Sequence, residues 1–96
     1  MKAATKTTLR RKVKEHNLKN RGGKGKKVTF KMLSDVFDRG VGAYHTNPGS
    51  VRPSVTGPEQ WAIARVNTFL KAVRTNRFPK NKFDTDLLPT GHPLKS

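Results

Sequence analysis

The sequence predicts an all-α fold: a mainly helical protein with about three helices, long irregular loops and a non-helical C-terminal tail. Apolar residues recur at helical spacing in three segments, and no segment alternates apolar and polar residues for long enough to support a sheet. The 96 residues allow at most one small domain. Only 32% of them are hydrophobic, so the core is marginal without a stabilising partner. The chain has no cysteine, which excludes disulfides and thiolate metal sites.

Positive charge is concentrated in the N-terminal third. Residues 1–31 hold twelve Lys or Arg and one acid, a net charge of +11, whereas residues 32–96 hold nine and five, a net charge of +4. We therefore divide the chain into a basic arm over residues 1–27, made of a short helix and a Gly/Lys linker, and a small helical domain with a C-terminal tail over residues 28–96. Such an arm indicates a polyanionic partner.

The first helix is expected over Thr5–Asn17, with Thr7 or Thr8 as its N-cap. Most of its faces are basic and its apolar stripe is narrow, so the helix would be weak alone and can be ordered by a partner. The segment Asn20–Lys27 follows as a Gly/Lys linker and as the expected hinge between arm and body. The apolar stripe of the helix consists of Leu9, Val13 and His16.

The second helix is expected over Val28–Arg39, with Thr29 as its N-cap and Gly40 as a left-handed C-terminal cap. A long connection over Gly40–Gly57 follows, and a loop of this length in a small domain is usually functional or mobile. The apolar face of the helix combines Met32 or Leu33 with Val36 and Phe37.

The third helix is expected over Pro58–Asn76, with Thr56 as its N-cap and Glu59 completing a Thr-x-x-Glu capping box. Prolines in the tail exclude a continuous helix there, and Leu87 and Leu88 are placed to fold back onto the core. The apolar face of the third helix consists of Trp61, Ala62, Val66, Phe69, Leu70 and Val73.

Trp61, Arg65 and Phe69 are spaced four residues apart on the third helix. The two aromatic side chains are interpreted as anchors of the core rather than as stacking partners for bases. Arg65 lies so close to the apolar stripe that it needs an acidic partner, such as Asp35 or Asp38.

The basic residues of the arm and of the long loop are the candidate nucleic-acid contacts. Lys and Arg neutralise phosphates and release counterions whatever the base sequence. The alternative is a solvated surface that keeps a small protein soluble, but a net charge of +11 over residues 1–31 exceeds what solubility needs. The residues assigned to phosphate contact are Arg10, Arg11, Lys12, Lys14, Arg21, Lys24, Lys26, Lys27, Lys31 and Arg52.

A small metal-dependent nuclease is a further hypothesis. His45 and His92 are far apart in the sequence but can converge with Asp84 and Asp86, which would hold a divalent ion. The simpler interpretation is loop polarity and helix-end capping, because no zinc or nuclease spacing is present. We therefore assign no catalytic residue, no metal ligand and no cofactor, and we favour a binding protein over an enzyme.

Four short motifs, taken in order, resemble a known family. They are RGVGAY at residues 39–44, RP at 52–53, WAIARVNTFL at 61–70 and DTDLLPTGHP at 84–93. This ordered set resembles a small domain of uncharacterised function that recurs in tailed bacteriophages, cyanophages among them, and in some large DNA viruses. The likeness covers Val28–Pro93 and implies a viral protein, but it implies no activity, no catalytic residue and no cofactor.

We expect a phage-encoded basic protein that binds nucleic acid non-specifically through phosphate contacts, in the host cytoplasm or in the virion. DNA is favoured over RNA, and no membrane partner is expected. No apolar run approaches the roughly 20 residues that span a bilayer, although the charge alone would also suit an anionic membrane surface or an acidic protein. Two alternatives stay open. The chain can be a virion or assembly component whose arm contacts acidic neighbouring subunits, with self-association or a host protein as further partners. It can also be the small nuclease described above.

Overall fold

A computed structural model describes four ranges of the chain, namely residues 2–20, 25–46, 57–78 and 83–95. These ranges contain three α-helices, one short 3₁₀ turn and no strand. The helices are α1 (Ala3–Lys19), α2 (Phe30–Thr46) and α3 (Pro58–Thr75), and the 3₁₀ turn covers Thr85–Leu87. The predicted all-α class is confirmed. No helix in the described ranges is both long and apolar enough to cross a membrane.

α2 and α3 pack against each other along their apolar faces and form most of the core. Gly40 lies where the two helices come close, since a Cβ at this position would be 3.0 Å from Cα of Ala62 and 3.2 Å from Cδ of Arg65. The prediction that Gly40 caps the second helix is therefore wrong, and α2 continues to Thr46. The missing side chain serves close helix packing instead of helix termination.

Side chains from all three helices and from the tail meet in one core. Leu9 of α1 and Leu88 of the tail are both fully buried in it, and Leu87 packs against it, which confirms the predicted return of the tail. The described residues on both sides of residue 27 share this core, and the division of the chain into arm and body remains a prediction. The fully buried apolar side chains are Leu9, Val28, Leu33, Val36, Ala62, Val66, Phe69, Ala72, Val73 and Leu88.

α1 begins two residues before the predicted start. The hydroxyls of Thr7 and Thr8 donate to the carbonyls of Ala3 and Ala4, at 3.1 and 3.0 Å. The prediction of either threonine as the N-cap is therefore wrong, because inside a helix such a hydroxyl bonds to the carbonyl one turn earlier. The residue at the N-cap is Lys2, which makes no side-chain capping bond.

The segment that leads into α2 is held on α1 by side-chain to backbone hydrogen bonds. The amide Nδ2 of Asn17 donates to the carbonyl of Val28, and the N–H of Val28 donates to Oδ1 of Asn17, both at 2.9 Å. Beside this pair, Nε2 of His16 donates to the carbonyl of Lys26 at 2.7 Å. A short polar seam therefore docks α1 beside the narrow apolar contact made by its buried face.

Gly25 brings the same segment close to the C-terminal tail. Its φ is +72°, a conformation that L side chains rarely adopt, and a Cβ there would lie 2.6 Å from the backbone nitrogen of His92. The last residues of the predicted linker are thus packed between α1 and the tail. Residues 21–24, the centre of that linker, lie outside the described residues.

α2 and α3 begin close to the predicted positions. Oγ1 of Thr29 accepts a hydrogen bond from the N–H of Met32 at 3.2 Å, which confirms Thr29 as the N-cap of α2. Gly57 is the N-cap residue of α3, and Thr56, the predicted cap, lies outside the described residues. α3 ends where Asn76 adopts a left-handed conformation with φ of 60°.

Arginine–aspartate pairs fasten the tail to α2 and α3. Asp84, whose side chain is 3% exposed, accepts hydrogen bonds from Arg39 at 3.0 Å and from Arg65 at 3.2 Å. Arg39 also binds Asp86 through two contacts of 2.8 Å, and this pairing holds the pKa of the Asp86 carboxyl below its usual range. The prediction that an aspartate of the second helix pairs with Arg65 is wrong, because the tail carries Asp84 to this position.

Candidate nucleic-acid interface

Seven of the ten residues assigned to phosphate contact lie in the described ranges. Arg21, Lys24 and Arg52 lie outside them. The side chains of these seven residues differ in whether they contact other groups of the protein. Those without such contacts are available to bind a polyanion.

The outer face of α1 is a row of exposed cations, and we define it by Lys6, Arg10, Arg11 and Lys14. Lys6, Arg10 and Lys14 are spaced four residues apart, so they follow one another along one side of the helix. Within the described ranges, the side chains of Lys6 and Lys14 make no hydrogen bond and no ion pair. Their charges are therefore available to a partner.

The two arginines of the outer face make weak contacts that leave them accessible. The guanidinium of Arg10 lies 5.0 Å from the centre of the Phe30 ring, which holds the side chain in place without neutralising its charge. Nε of Arg11 lies 3.8 Å from the carboxylate of Glu15, and both side chains are largely exposed. Such an exposed pair contributes little to stability. Lys27, beyond the helix, is also exposed and unpaired among the described residues.

Three of the predicted contacts are occupied within the protein. Nζ of Lys12 donates to Oδ1 of Asn67 in α3 at 2.7 Å. Nζ of Lys26 donates to the carbonyl of Arg74 in the last turn of α3 at 2.5 Å, where a cation also suits the helix dipole. Lys31 pairs with an aspartate one turn further along α2 at 3.0 Å. Lys12 and Lys26 thus bond to neutral oxygens and keep their positive charges, whereas the charge of Lys31 is paired with an aspartate.

A basic groove of about 190 Å³ lies between α1 and α3. We call it the α1–α3 groove, and residues from both helices line it. Its lining includes the cations Lys12, Lys19, Lys71 and Arg74, the acid Glu15 and the buried His16. The fold therefore makes a second cationic surface, which is concave where the outer face of α1 is convex.

Three cations of the groove, Lys19, Lys71 and Arg74, are absent from the predicted set. Lys71 and Arg74 are far from the arm along the chain, and only the fold brings the C-terminal half of α3 beside α1. A weak signal is present in the sequence, because Asn67, Lys71 and Arg74 recur at spacings of four and three residues on one side of a helix.

His16 reports the electrostatics at the base of the groove. Burial lowers the pKa of His16 below its ordinary value, and the positive charges of Arg74 and Lys26 lower it further, against the opposing hydrogen bond to the Lys26 carbonyl. The ring is therefore neutral at pH 7, with Nε2 as the donor to that carbonyl. The charges of Arg74 and Lys26 therefore act on the buried side of the groove as well as on its exposed surface.

The hypothesised nuclease residues have other partners in the structure. His45 is exposed, with its ring 5.6 Å from that of Tyr44, and Nε2 of the buried His92 bonds to the carbonyl of Val73 at 3.1 Å. Asp84 and Asp86 are both paired with arginine as described above. No group of three or more His, Cys, Asp or Glu side chains that could hold a metal occurs within the described ranges.

The two aromatic side chains of α3 differ in burial. Phe69 is fully buried in the core, as predicted. Trp61 is only partly buried, and its Nε1 is shielded from solvent without a hydrogen-bond partner among the described residues. Phe69 therefore anchors the core more completely than Trp61.

Comparison with known proteins gives one match. The sequence profile of a family of unknown function (DUF5824) matches residues 2–87, a range that begins in front of α1 and ends with the 3₁₀ turn. Neither the curated proteins nor the solved structures contain a match to the chain. The resemblance to an uncharacterised small domain is thus confirmed, and the matched range includes the outer face of α1 and the α1–α3 groove.

Proposed function

The chain belongs to this family of unknown function, DUF5824, and on that premise we propose that it binds nucleic acid through phosphate contacts, without reading the base sequence. The observation that carries the proposal is the outer face of α1. There a folded helix presents four exposed cations, and the one acid of that helix is Glu15. The net charge of +15 on 96 residues adds a long-range attraction for any polyanion.

The geometry of α1 suits contact with a phosphate backbone. Residues four apart along an α-helix are separated by a rise of about 6 Å, so Lys6, Arg10 and Lys14 can each meet a different phosphate. Leu9 and His16 dock the opposite side of the helix on the protein. The cations are therefore held in a fixed row and lose little further backbone entropy on binding.

Two further parts of the proposal concern the organism that encodes the protein and the type of nucleic acid that it binds. The resemblance stated from the sequence motifs supports a phage-encoded protein that acts in the host cytoplasm or in the virion, with DNA favoured over RNA. Contacts to phosphate do not distinguish the two polymers. Parallel titrations of duplex DNA and of RNA with the same sequence test this part of the proposal directly.

The test of the function is the salt dependence of binding, measured by fluorescence anisotropy with a labelled duplex. We expect the logarithm of the association constant to fall linearly with the logarithm of salt between about 50 and 200 mM. The variant Lys6→Gln/Arg10→Gln/Lys14→Gln should bind more weakly and reduce the slope by roughly 0.9 for each phosphate contact removed. An affinity that stays constant across this range would exclude the mechanism.

Two further measurements decide between this function and the alternatives. Size-exclusion chromatography with and without DNA addresses assembly, because a stable oligomer that ignores DNA indicates a structural component rather than a nucleic-acid-binding protein. Incubation of plasmid and RNA with the protein and magnesium addresses the nuclease, and we expect both substrates to stay intact.

A further inference from the structure

The cations of the α1–α3 groove are not neutralised by the protein. Lys19, Lys71 and Arg74 have no ion-pair partner within the described ranges, and Lys12 bonds only to the neutral amide oxygen of Asn67. Four positive charges therefore surround a groove with a single acid. Like charges around one groove repel one another, so an anion that enters the groove relieves the repulsion.

The single acid of the groove does not close it to anions. The carboxylate of Glu15 lies 3.8 Å from Nε of Arg11, which belongs to the outer face of α1. Glu15 is exposed and on the rim, and its charge is shared with a cation outside the groove. The groove keeps an excess of positive charge.

Hydrogen bonds that do not depend on a ligand hold the walls of the groove together. The bond from Lys12 to Asn67 joins α1 to α3, and the bond from Lys26 to the carbonyl of Arg74 joins α3 to the segment before α2. His16 then links that segment back to α1 through the carbonyl of Lys26. These bonds make the groove a formed concave site rather than a chance crowding of surface lysines.

We propose that the α1–α3 groove is a seat for one phosphate group, contacted by Lys12, Lys71 and Arg74. Arg74 supplies the planar donor fork that suits phosphate oxygens, and the lysines supply point charges. The volume of about 190 Å³ is sufficient for a phosphate group. The proposal rests on the proposed function for the source of the phosphate, a nucleic-acid backbone, and the alternative source is a free phosphate compound.

The salt dependence of the DNA association constant shows whether Lys71 and Arg74 contact the same phosphate or two different phosphates. Lys71→Gln/Arg74→Gln and Lys6→Gln/Lys14→Gln both remove two positive charges from exposed helix positions and keep a residue of good helix propensity. If Lys71 and Arg74 contact the same phosphate, Lys71→Gln/Arg74→Gln should reduce the slope by about 0.9, while Lys6→Gln/Lys14→Gln should reduce it by about 1.8. Equal reductions of about 1.8, or an unchanged slope in the groove variant, would overturn the shared seat.

Inorganic phosphate tests the seat without nucleic acid. Asn20 and Asn67 both line the groove. In an NMR titration at constant pH and ionic strength, their side-chain amides should shift saturably with phosphate and not with chloride. The shifts should disappear in Lys71→Gln/Arg74→Gln and persist in Lys6→Gln/Lys14→Gln. If both variants lose the shifts equally, phosphate responds to the overall positive charge of the protein rather than to the groove, and the proposal is refuted.

The two experiments separate the failure of the function from the failure of the seat. Saturable amide shifts in a protein that binds no DNA or RNA would refute nucleic-acid binding, and they would assign the seat to a free phosphate compound. DNA binding with an unchanged groove-variant slope and no amide shift would support the function and remove the seat. Circular dichroism of both variants confirms that the helices are retained.

Discussion

α1 and α2 have the same length, 17 residues, and opposite roles. The buried residues of α2 are the apolar Leu33, Val36 and Phe37 together with Gly40. α1 buries one large apolar side chain, Leu9, beside the polar Thr5 and His16. One helix therefore stabilises the core, and the other presents charge with only a narrow contact to hold it. The comparison teaches that the cationic surface of this protein depends on very few anchoring contacts.

Leu9→Ala tests the anchor of α1 and should have the largest effect on stability. Leu9 is fully buried, so truncation should cost about 3 kcal/mol of unfolding free energy through lost burial and a residual cavity. Leu18→Ala is the matched control, since Leu18 lies on the same helix and is 52% exposed, and it should change stability by less than about 0.5 kcal/mol. Urea unfolding measures both variants. Equal losses would show that α1 is not docked through Leu9.

Gly40→Ala tests the close approach of α2 and α3. A methyl group would meet the backbone of Ala62, so we expect a loss of about 1–3 kcal/mol from overpacking. Gly42→Ala lies two residues away in the same helix with open space around it, and it should raise stability by up to about 1 kcal/mol through helix propensity. Thermal unfolding of the pair decides the matter, because the packing argument requires opposite signs.

His16→Gln tests the polar part of the α1 anchor, and the change in the pH dependence of stability should be the smallest of these effects. Burial depresses the pKa of His16 in the folded protein, so the unfolded chain binds a proton first when the pH falls. The stability that the neutral ring supports is complete above its ordinary pKa of 6.5 and is lost as the pH falls through the lower folded value. Urea unfolding at several pH values should show this loss in the parent chain and not in the variant.

His45→Gln is the control for that experiment. His45 lies exposed on α2, so its replacement should leave the acid-dependent loss of stability in place. If the two histidine variants respond alike to pH, the burial of His16 does not explain the dependence.

The sequence predicts the helices more completely than it predicts the contacts between them. Apolar periodicity predicts three helices and the burial of Phe69, because burial of a repeating face is a local property of the chain. The role of Gly40 cannot be read from its neighbours in the sequence, because a glycine at a helix end and a glycine at a helix crossing have the same local pattern. Only the tertiary structure places Ala62 opposite Gly40. The prediction of the second helix accordingly stops too early.

The candidate site divides in the same way. The outer face of α1 follows from spacing within one helix, so Arg10 and Lys14 could be identified from the sequence. The α1–α3 groove joins Lys12 to Lys71 and Arg74 across the fold, and no spacing within one segment encodes that meeting. The partner of Arg65 could not be predicted for the same reason. Asp84 lies in an irregular tail, and no periodic pattern in the sequence describes the path of that tail.

The shared burial of Leu9 and Leu88 has a kinetic consequence. A bundle of three helices joined in sequence ordinarily folds fast, because each helix meets its neighbour across a short stretch of chain. Here the core includes Leu9 and Leu88, which are far apart in the described sequence. Bringing such distant segments into one core costs loop-closure entropy before the contacts form. We therefore expect this protein to fold more slowly than its helix content suggests, with the packing of α1 and of the tail on the core as the late step.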